Sequence, residues 1–397
     1  MSPRRESLLQ RFTPPKTKNQ AIIKLATDMC YVHQEESIQS LADALRREAA
    51  EQAVGVVDDE GKVAGIVVRD NFFTTLVRPY ARDVFKNRPI REVMETPRTF
   101  DSNTNLFSVA EDINAEMKEP GISYFVLTNE RREFHGIFST QDMLVYLSEM
   151  TQNDIALARK LQSRIVRERE FVVGKSFEFT ASSQTAKGVG GDFYDILRYG
   201  EDHWAAAFCD VSGKGIAASI VTSVIWGIMS TYDFTRGLTN FVRELNDYIV
   251  RTFESERFIT GIFLSYNEVS QELEICDMGH SHMYLFRKGR FVKIKNSQNN
   301  LPIGVTPDFT PKSNIIRPRE QDVLFLLTDG LTEQENDEGE PYSIDRIAGV
   351  LREHHGVPVE ATCDRLLADF HSFRGHHALG DDVTFALMRF VRQEVLL

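Results

Sequence analysis

Apolar, strand-like segments in the last two thirds of this chain repeatedly run into aspartate. Asp210 ends "AAAFCD", Asp329 ends "VLFLLTD", Asp381 and Asp382 open "DDVTFALMRF", and Asp192 follows the double glycine of "KGVGGDFYDIL". A single aspartate at the mouth of an apolar strand is ordinarily solvated or caps a turn. The same design at several strand ends points to ends that meet. Convergent carboxylates repel one another unless a divalent cation neutralises them. An oxygen-only ligand set of this kind favours Mg²⁺ or Mn²⁺ over zinc.

The segments that carry these residues belong to a longer series: "KSFEFTASS", "WAAAFCDVS", "FITGIFLSYN", "ELEICDMG", "MYLFRKG", "DVLFLLTDG" and "DVTFALMRFV". Many strands with a few long helices, at 215–232 and 238–254, predict an α+β domain built on antiparallel sheets. Sheets packed face to face with helices outside would gather loop carboxylates at one end. The 215–232 segment is uncharged and almost long enough to span a bilayer. Its serines, threonines and glycines make it a helix buried in a core instead, and no membrane span is expected.

The chain's 397 residues suggest two or three domains. A formal net charge of −12 argues against a general nucleic-acid binder, which needs a basic footprint. Cys30, Cys209, Cys276 and Cys363 lie far apart with no CxxC spacing, which predicts reduced thiols and a cytoplasmic setting. Residues 1–20 carry several Arg and Lys without the apolar core of a signal peptide and read as a mobile tail.

The N-terminal third holds a weak internal repeat, its copies at 35–76 and 103–147. Each reads as an amphipathic helix, a short apolar strand, a charged turn ("DDEGK" or "TNERRE"), a strand ending in Gly-Ile, and a final helix. Over 28–150 this repeat resembles a pair of CBS domains. That resemblance implies an adenine-nucleotide cleft, to which Ser139, Thr140 and Asp142 after Gly136 would contribute. The first copy, with Gly65, Arg69, Asp70 and Asn71, fits that pattern poorly. A pair used only for dimerisation or spacing is the alternative. Next, "TQNDIALARKLQSRIVRERE" at 151–170 has helical spacing, with Ile155, Ala158, Leu161 and Ile165 on one stripe. It predicts a helix joining the two halves, paired with its copy in a homodimer or packed on its own domain.

From about residue 155 onward, "GVGGDFYDIL", "FCDVSGKGIAASI", "LPIGVTPDF", "LLTDGLTEQENDEGEPYS" and "GDDVTFALMRF" occur in the order found in SpoIIE/RsbU-type phosphatases, which the chain resembles. That family belongs to the metal-dependent PPM class. The resemblance implies an α-β-β-α sandwich holding two Mn²⁺ or Mg²⁺ ions. Asp210 would bridge them beside the carbonyl of Val211, Asp329 and Asp381 would complete the pair, and Asp192 would contact a metal directly or through water. Asp382 is a further candidate behind them. Water activated by the ions, not a side chain, would be the nucleophile. Lys187 stands where the family is often basic and is a candidate to meet the substrate phosphate. His280 and His282 in "GHSHM" lack a matching third zinc ligand and read as turn residues, with His280 a candidate for proton transfer.

The expected layout is thus a tail at 1–20, a regulatory CBS pair at 21–150, a connecting helix at 151–172 and a phosphatase domain at 173–397. The implied substrate is a phosphoserine on a STAS-domain anti-sigma-factor antagonist. A ligand in the CBS cleft would act by shifting the 153–170 helix. Two rival readings were weighed: a non-catalytic nucleotide-sensing docking module, and a diguanylate cyclase suggested by Gly-Gly-Asp. In the second case Phe-Tyr-Asp stands where Glu-Phe would follow. Nor is "GVGGD" a P-loop, since no Gly-Lys-Ser/Thr follows it.

Overall fold

The computed structural model describes residues 8–14, 21–77, 85, 87–116, 121–253, 256–294, 299–354 and 356–392. The chain divides into two compact units, Met1–Gln152 and Asn153–Leu397.

In the first unit the repeat appears as two copies of one β-α-β-β-α order. The first is β2 (Cys30–His33), α1 (Ile38–Arg47), β3 (Ala53–Val57), β4 (Val63–Val68) and α2 (Arg69–Val77). The second is β5 (Arg98–Asp101), α3 (Leu106–Glu116), β6 (Tyr124–Thr128), β7 (Phe134–Ser139) and α4 (Thr140–Gln162). In both copies the first two strands pair in parallel and the last two antiparallel. Both carry a register shift at the same place, between Val56 and Val57 and between Leu127 and Thr128. The copies also trade edges: Asp28 bridges to Ile137 of the second copy, and Glu95 bridges to Ile66 of the first. Gly55 lies where this exchange is closest; a Cβ there would sit 2.3 Å from the Phe134 ring.

Part of the expected tail is structured. Gln10–Arg11 (β1) pairs with Tyr31 and Cys30, Leu9 is buried, and Arg11 reaches Glu51 at 2.6 Å. An apolar side chain with a core to enter, next to backbone groups with an open edge to pair, does not stay solvated. The rest of that expectation, 1–7 and 15–20, lies outside the described residues.

Asp28 is buried under this exchange, its carboxylate accepting the Gln52 N–H at 3.1 Å. Burial, aided by the like charges of Glu51 and Asp142, raises its pKa to about 7. The folded state therefore holds a proton that the unfolded chain releases near pH 4. Stability should fall as pH rises from about 4 to about 7, and the loss is complete above that. Thermal unfolding at pH 5 and pH 8 is expected to show this slope. Asp28→Asn should flatten it, gaining on the order of 2 kcal/mol at pH 8; an unchanged slope would count against the buried acid.

The second unit is two antiparallel sheets face to face. One has five strands in the order β10 (Asp192–Arg198), β11 (His203–Val211), β12 (Ile259–Asn267), β13 (Glu272–Met278) and β16 (Asn314–Ile316). The other has six: β15 (Arg290–Lys293), β14 (Met283–Arg287), β17 (Val323–Leu327), β18 (Val383–Phe390), β9 (Phe177–Gln184) and β8 (Arg169–Val173). Helices α5 (Ile216–Thr231) and α6 (Leu238–Phe253) pack on the five-stranded sheet. Helices α8 (Ile344–Glu353) and α9 (Val359–Arg374) cover the six-stranded one; α7 (Asp329–Glu333) is a single short turn after β17.

This layering explains why "VLFLL" and "VTFALM" show no polar alternation. Successive strand residues face opposite sides. Leu324, Leu326, Ala386 and Met388 join the core between the sheets, while Phe325, Leu327, Phe385 and Leu387 join the core under α8 and α9. Both faces are covered, so both must be apolar. The uncharged 216–231 helix is buried on one side as expected, and no helix among the described residues is long and apolar enough to cross a membrane.

The connecting helix is corrected at both ends. α4 already begins at Thr140 and stops at Gln162, and Arg169–Val173 is an edge strand instead. Phe171, Val172 and Val173 are strand formers, and pairing with β9 gives their backbone groups partners that a helix end would leave open. Of the expected stripe, Ile165 packs on the sandwich core, whereas Leu161 is exposed.

Candidate active site

Sheet register brings the aspartates together. On the five-stranded sheet Asp192 lies directly opposite Asp210, and Asp210 lies opposite Thr260. On the facing sheet β17 and β18 are antiparallel, with Leu327 opposite Phe385, so the end of one strand and the start of the other share an edge. Asp329 follows that edge and Asp381 and Asp382 precede it. A cavity of about 350 Å³ results, lined among others by Asp210, Val211, Lys214, Asp329, Asp381 and Asp382.

Asp210 reports the crowding. Burial, then the charges of Asp329, Asp381 and Asp382, raise it to about 7, with Lys214 acting in the opposite direction. Asp192 is fully buried and pushed well above the ordinary carboxylate range by burial and then by Asp210. Thr328 donates its hydroxyl to Asp192 Oδ2 at 2.9 Å while accepting the Thr384 N–H at 3.0 Å, so this carboxylate is tied to both β17 and β18.

Asp382 faces away from that role. Its two oxygens accept the Ala186 N–H and the Gly191 N–H, each at 2.8 Å, stapling the 185–191 loop to the start of β18. The double glycine is a consequence of this staple. A Cβ on Gly190 would sit 2.4 Å from Asp382 Oδ2, and one on Gly191 would sit 2.8 Å from the Val211 carbonyl oxygen. Gln162, the last residue of α4, holds the same loop: Gly190 N–H donates to its Oε1 at 3.0 Å, and its Nε2 donates to the Gly190 carbonyl at 2.7 Å and to Thr222 at 3.1 Å. Sequence reading missed Gln162, because a buried glutamine inside a charged helix end carries no periodic signal.

The candidate phosphate contact, Lys187, lies away from the cavity. Lys187 is exposed on the stapled loop and does not line the cavity. Lys214 does, with its Nζ 2.7 Å from Asp381 Oδ2 and donating to the Gly380 carbonyl at 3.2 Å. The signal was present in "SGKG": glycines at positive φ, Gly213 at 89° and Gly215 at 78°, turn the chain after β11 and bring the intervening lysine over the strand ends.

His280 is occupied on both ring nitrogens, Nε2–H donating to the Leu327 carbonyl at 2.9 Å and Nδ1 accepting from Thr260 Oγ1 at 3.1 Å. Burial lowers it to about 4, so it is neutral and braces the two sheets instead of moving protons. His282 lines the cavity, and its Nδ1 is buried without a hydrogen-bond partner. Cys209 is fully buried behind Asp210, as a core thiol should be; all four cysteines are buried and unpaired.

The carboxylates are an oxygen-only, crowded set, with Asp192 and Asp210 pushed up by burial and by neighbouring carboxylates, which fits a hard divalent cation by chemistry. Among the described residues, however, no three His, Cys, Asp or Glu side chains are drawn together closely enough to hold an ion as they stand. Asp381 is turned to Lys214 instead.

In the N-terminal unit, Ser139, Thr140 and Asp142 serve the start of α4. Asp142 Oδ2 accepts the Ser139 N–H at 2.7 Å and the Ser139 and Thr27 hydroxyls at 2.5 and 3.1 Å. Thr140 is buried, and its hydroxyl accepts the Ser123 N–H at 3.2 Å. A cavity of about 470 Å³ in this unit lies between the two copies, against Asp70 and Asn71 of the first, Arg98 and Tyr124 of the second, and Glu95, and none of Ser139, Thr140 and Asp142 lines it. Helix capping took the Ser/Thr/Asp pattern that had read as a ligand site.

Comparison with known proteins bears on the second unit. Residues 200–391 match the family model described as Stage II sporulation protein E (SpoIIE). The chain is 22% identical over 195 residues to the phosphoserine phosphatase RsbU of Bacillus subtilis, covering 49% of this chain and 57% of that protein. It is 20% identical over 214 residues to the protein IcfG of Synechocystis, covering 47% of this chain and 34% of that one. The chain thus spans about half, or less, of the curated relatives it matches. Among solved structures, the SiaA-PP2C domain of Pseudomonas aeruginosa superposes with a TM-score of 0.51 at 16% identity, over 62% of this chain and 98% of that one. Over 200–391 the second unit thus matches the SpoIIE family model, and its fold is PP2C-like.

Proposed function

We propose that the chain is a Mn²⁺- or Mg²⁺-dependent protein phosphatase that removes phosphate from phosphoserine on a STAS-type anti-sigma-factor antagonist. The observation that carries this reading is the meeting of Asp210, Asp329 and Asp381 at one cavity, with Asp210 raised to about 7 by burial and then by the charges of its neighbours. In it Asp210, the Val211 carbonyl, Asp329 and Asp381 would hold the divalent ions, and Asp192, bound to Thr328, would support Asp210 from the sheet interior. Bound divalent ions would supply a water nucleophile at neutral pH and stabilise charge developing on the phosphoryl oxygens. Asp382 and Gln162 hold the 185–191 loop and so keep Asp192 and Asp210 in register. His280, neutral and held on both ring nitrogens, is not the proton carrier in this reading; His282 lines the cavity and is the other imidazole there.

The N-terminal unit, in this reading, is a CBS pair that binds an adenine nucleotide, dimerises the protein and acts through α4. Its support is the doubled β-α-β-β-α order with exchanged edges, and the cavity beside Asp70 and Arg98. A docking module without turnover draws on one observation, that the carboxylates are not gathered as a ligand set among the described residues.

One assay separates the two readings. Hydrolysis of p-nitrophenyl phosphate, and of a phosphoserine STAS protein, should require Mn²⁺ and vanish in Asp329→Asn. Turnover that survives chelation, or is absent from both the full chain and the segment after residue 152, would move the assignment to the docking module.

A further inference from the structure

Lys214 occupies the cavity in a way the phosphatase reading does not by itself require. Its turn is rigid: Arg257 donates to the Ser212 carbonyl at 3.0 Å, Ser212 N–H donates to the Phe258 carbonyl at 2.9 Å, and Phe258 N–H donates to Ser212 Oγ at 3.0 Å. A Cβ on Gly213 would overlap Arg257 Nη1, so the guanidinium packs directly against this turn. The lysine side chain is different. It is 40% exposed, spans the cavity to Asp381, and is the one formal cation among the described lining residues, facing four aspartates. Its ammonium is held chiefly by Asp381, with further attraction from Asp382 and Asp329.

We infer that Lys214 is a tethered counter-ion: it holds Asp381 in the absence of a divalent ion, yields that carboxylate when the ion binds, and then contacts the substrate phosphoryl group. The inference rests on the proposed metal site. Its physical basis is exclusion. Asp381 Oδ2 is held by the ammonium at 2.7 Å and its Oδ1 accepts the Asp382 N–H at 2.8 Å, so with both oxygens engaged an ion that takes Asp381 as a ligand exchanges with the ammonium. An ammonium is a compact point charge on a flexible four-carbon stem, suited to such a swing. Once displaced, it remains anchored by its rigid turn at the cavity wall, where an entering phosphoryl dianion is the acceptor that best replaces Asp381. No bond is made or broken in this step; one ion pair replaces another.

The two halves of the inference pull a single variant in opposite directions. In the full-length protein, Lys214→Met should bind Mn²⁺ at least about tenfold more tightly by titration calorimetry, because a unit charge a few Å from the ion no longer competes. At saturating Mn²⁺ the same variant should show a KM for p-nitrophenyl phosphate raised by about tenfold or more. Lys214→Arg, which keeps the charge, should keep the wild-type Mn²⁺ affinity, and its folding controls for damage to the turn. Mn²⁺ binding that is equal or weaker in Lys214→Met overturns the counter-ion, and an unchanged KM overturns the phosphoryl contact. Where wild type still hydrolyses with Mn²⁺, these failures leave the phosphatase reading standing. Absence of Mn²⁺ binding in both wild type and Lys214→Met removes the metal site and this inference together.

Discussion

Asp210→Asn is expected to bring Mn²⁺-dependent hydrolysis of p-nitrophenyl phosphate to background, a loss of at least about a thousandfold, equivalent to about 4 kcal/mol of transition-state stabilisation. Asp210 is the only one of the cavity aspartates that lies within a strand, where cross-strand pairing to Asp192 and Thr260 fixes its backbone on both sides. An asparagine fits the same space but replaces the anionic carboxylate by a neutral amide with a single oxygen donor. Stability should move the other way. Asp210 is held above its ordinary range by burial and three like charges, so ionising it in the metal-free protein is unfavourable above about pH 4 and fully so above about pH 7. Asn removes that penalty. The metal-free variant should therefore melt at or above the wild-type temperature at pH 8. Retained turnover would displace Asp210 from the centre of the site; lost turnover with a lower melting temperature would show a merely structural residue.

The second large effect is expected at Gly330, which follows Asp329 and is buried. A Cβ there would sit 2.1 Å from the Asp382 carbonyl oxygen and 3.1 Å from Asp381 Cβ. These are backbone and near-backbone atoms, so the opening of β18 would have to move. Overpacking of this kind costs about 1–3 kcal/mol, or several degrees of melting temperature in a domain of this size. Activity should fall further than stability, by about a hundredfold, because the displaced atoms carry Asp329 and Asp381 apart. Gly349 is the control. It lies in helix α8 with nothing within 4 Å of an added Cβ, so Gly349→Ala should be neutral or stabilise by up to about 1 kcal/mol. A Gly330→Ala variant that melts and turns over like wild type would mean that the strand opening is looser than its packing implies.

Much of the C-terminal unit was legible because its signals are local. Doubly buried strands read as uninterrupted apolar runs, and an aspartate placed against such a run is conspicuous. The N-terminal repeat was legible for the same reason, since its helix, strand and charged-turn spacing recurs. The misreadings share a different cause. Lys187 and Lys214 both stand near glycines and an aspartate, and only the positive-φ turn after β11 decides which enters the cavity. Ser139, Thr140 and Asp142 carry a pattern that serves equally for capping a helix and for gripping a ligand. The 151–170 segment has helical spacing throughout, but an open edge on β9 claimed its last residues.

The sequence alone thus determined which segments would be strands and helices, that strand-end carboxylates would meet, and that the double glycine before Asp192 had a purpose. Those properties follow from periodicity and side-chain type, which act over a few residues. The tertiary structure decided what each polar group faces. Asp382 turned to the amides of Ala186 and Gly191, His280 spent both nitrogens bracing the sheets, Gln162 clasped Gly190, and Lys214 took Asp381. Each of these pairings joins residues from separate elements, most of them far apart in the chain. Hydrogen bonds and ion pairs depend on distances of a few tenths of an ångström, which exist only once the sheets have closed.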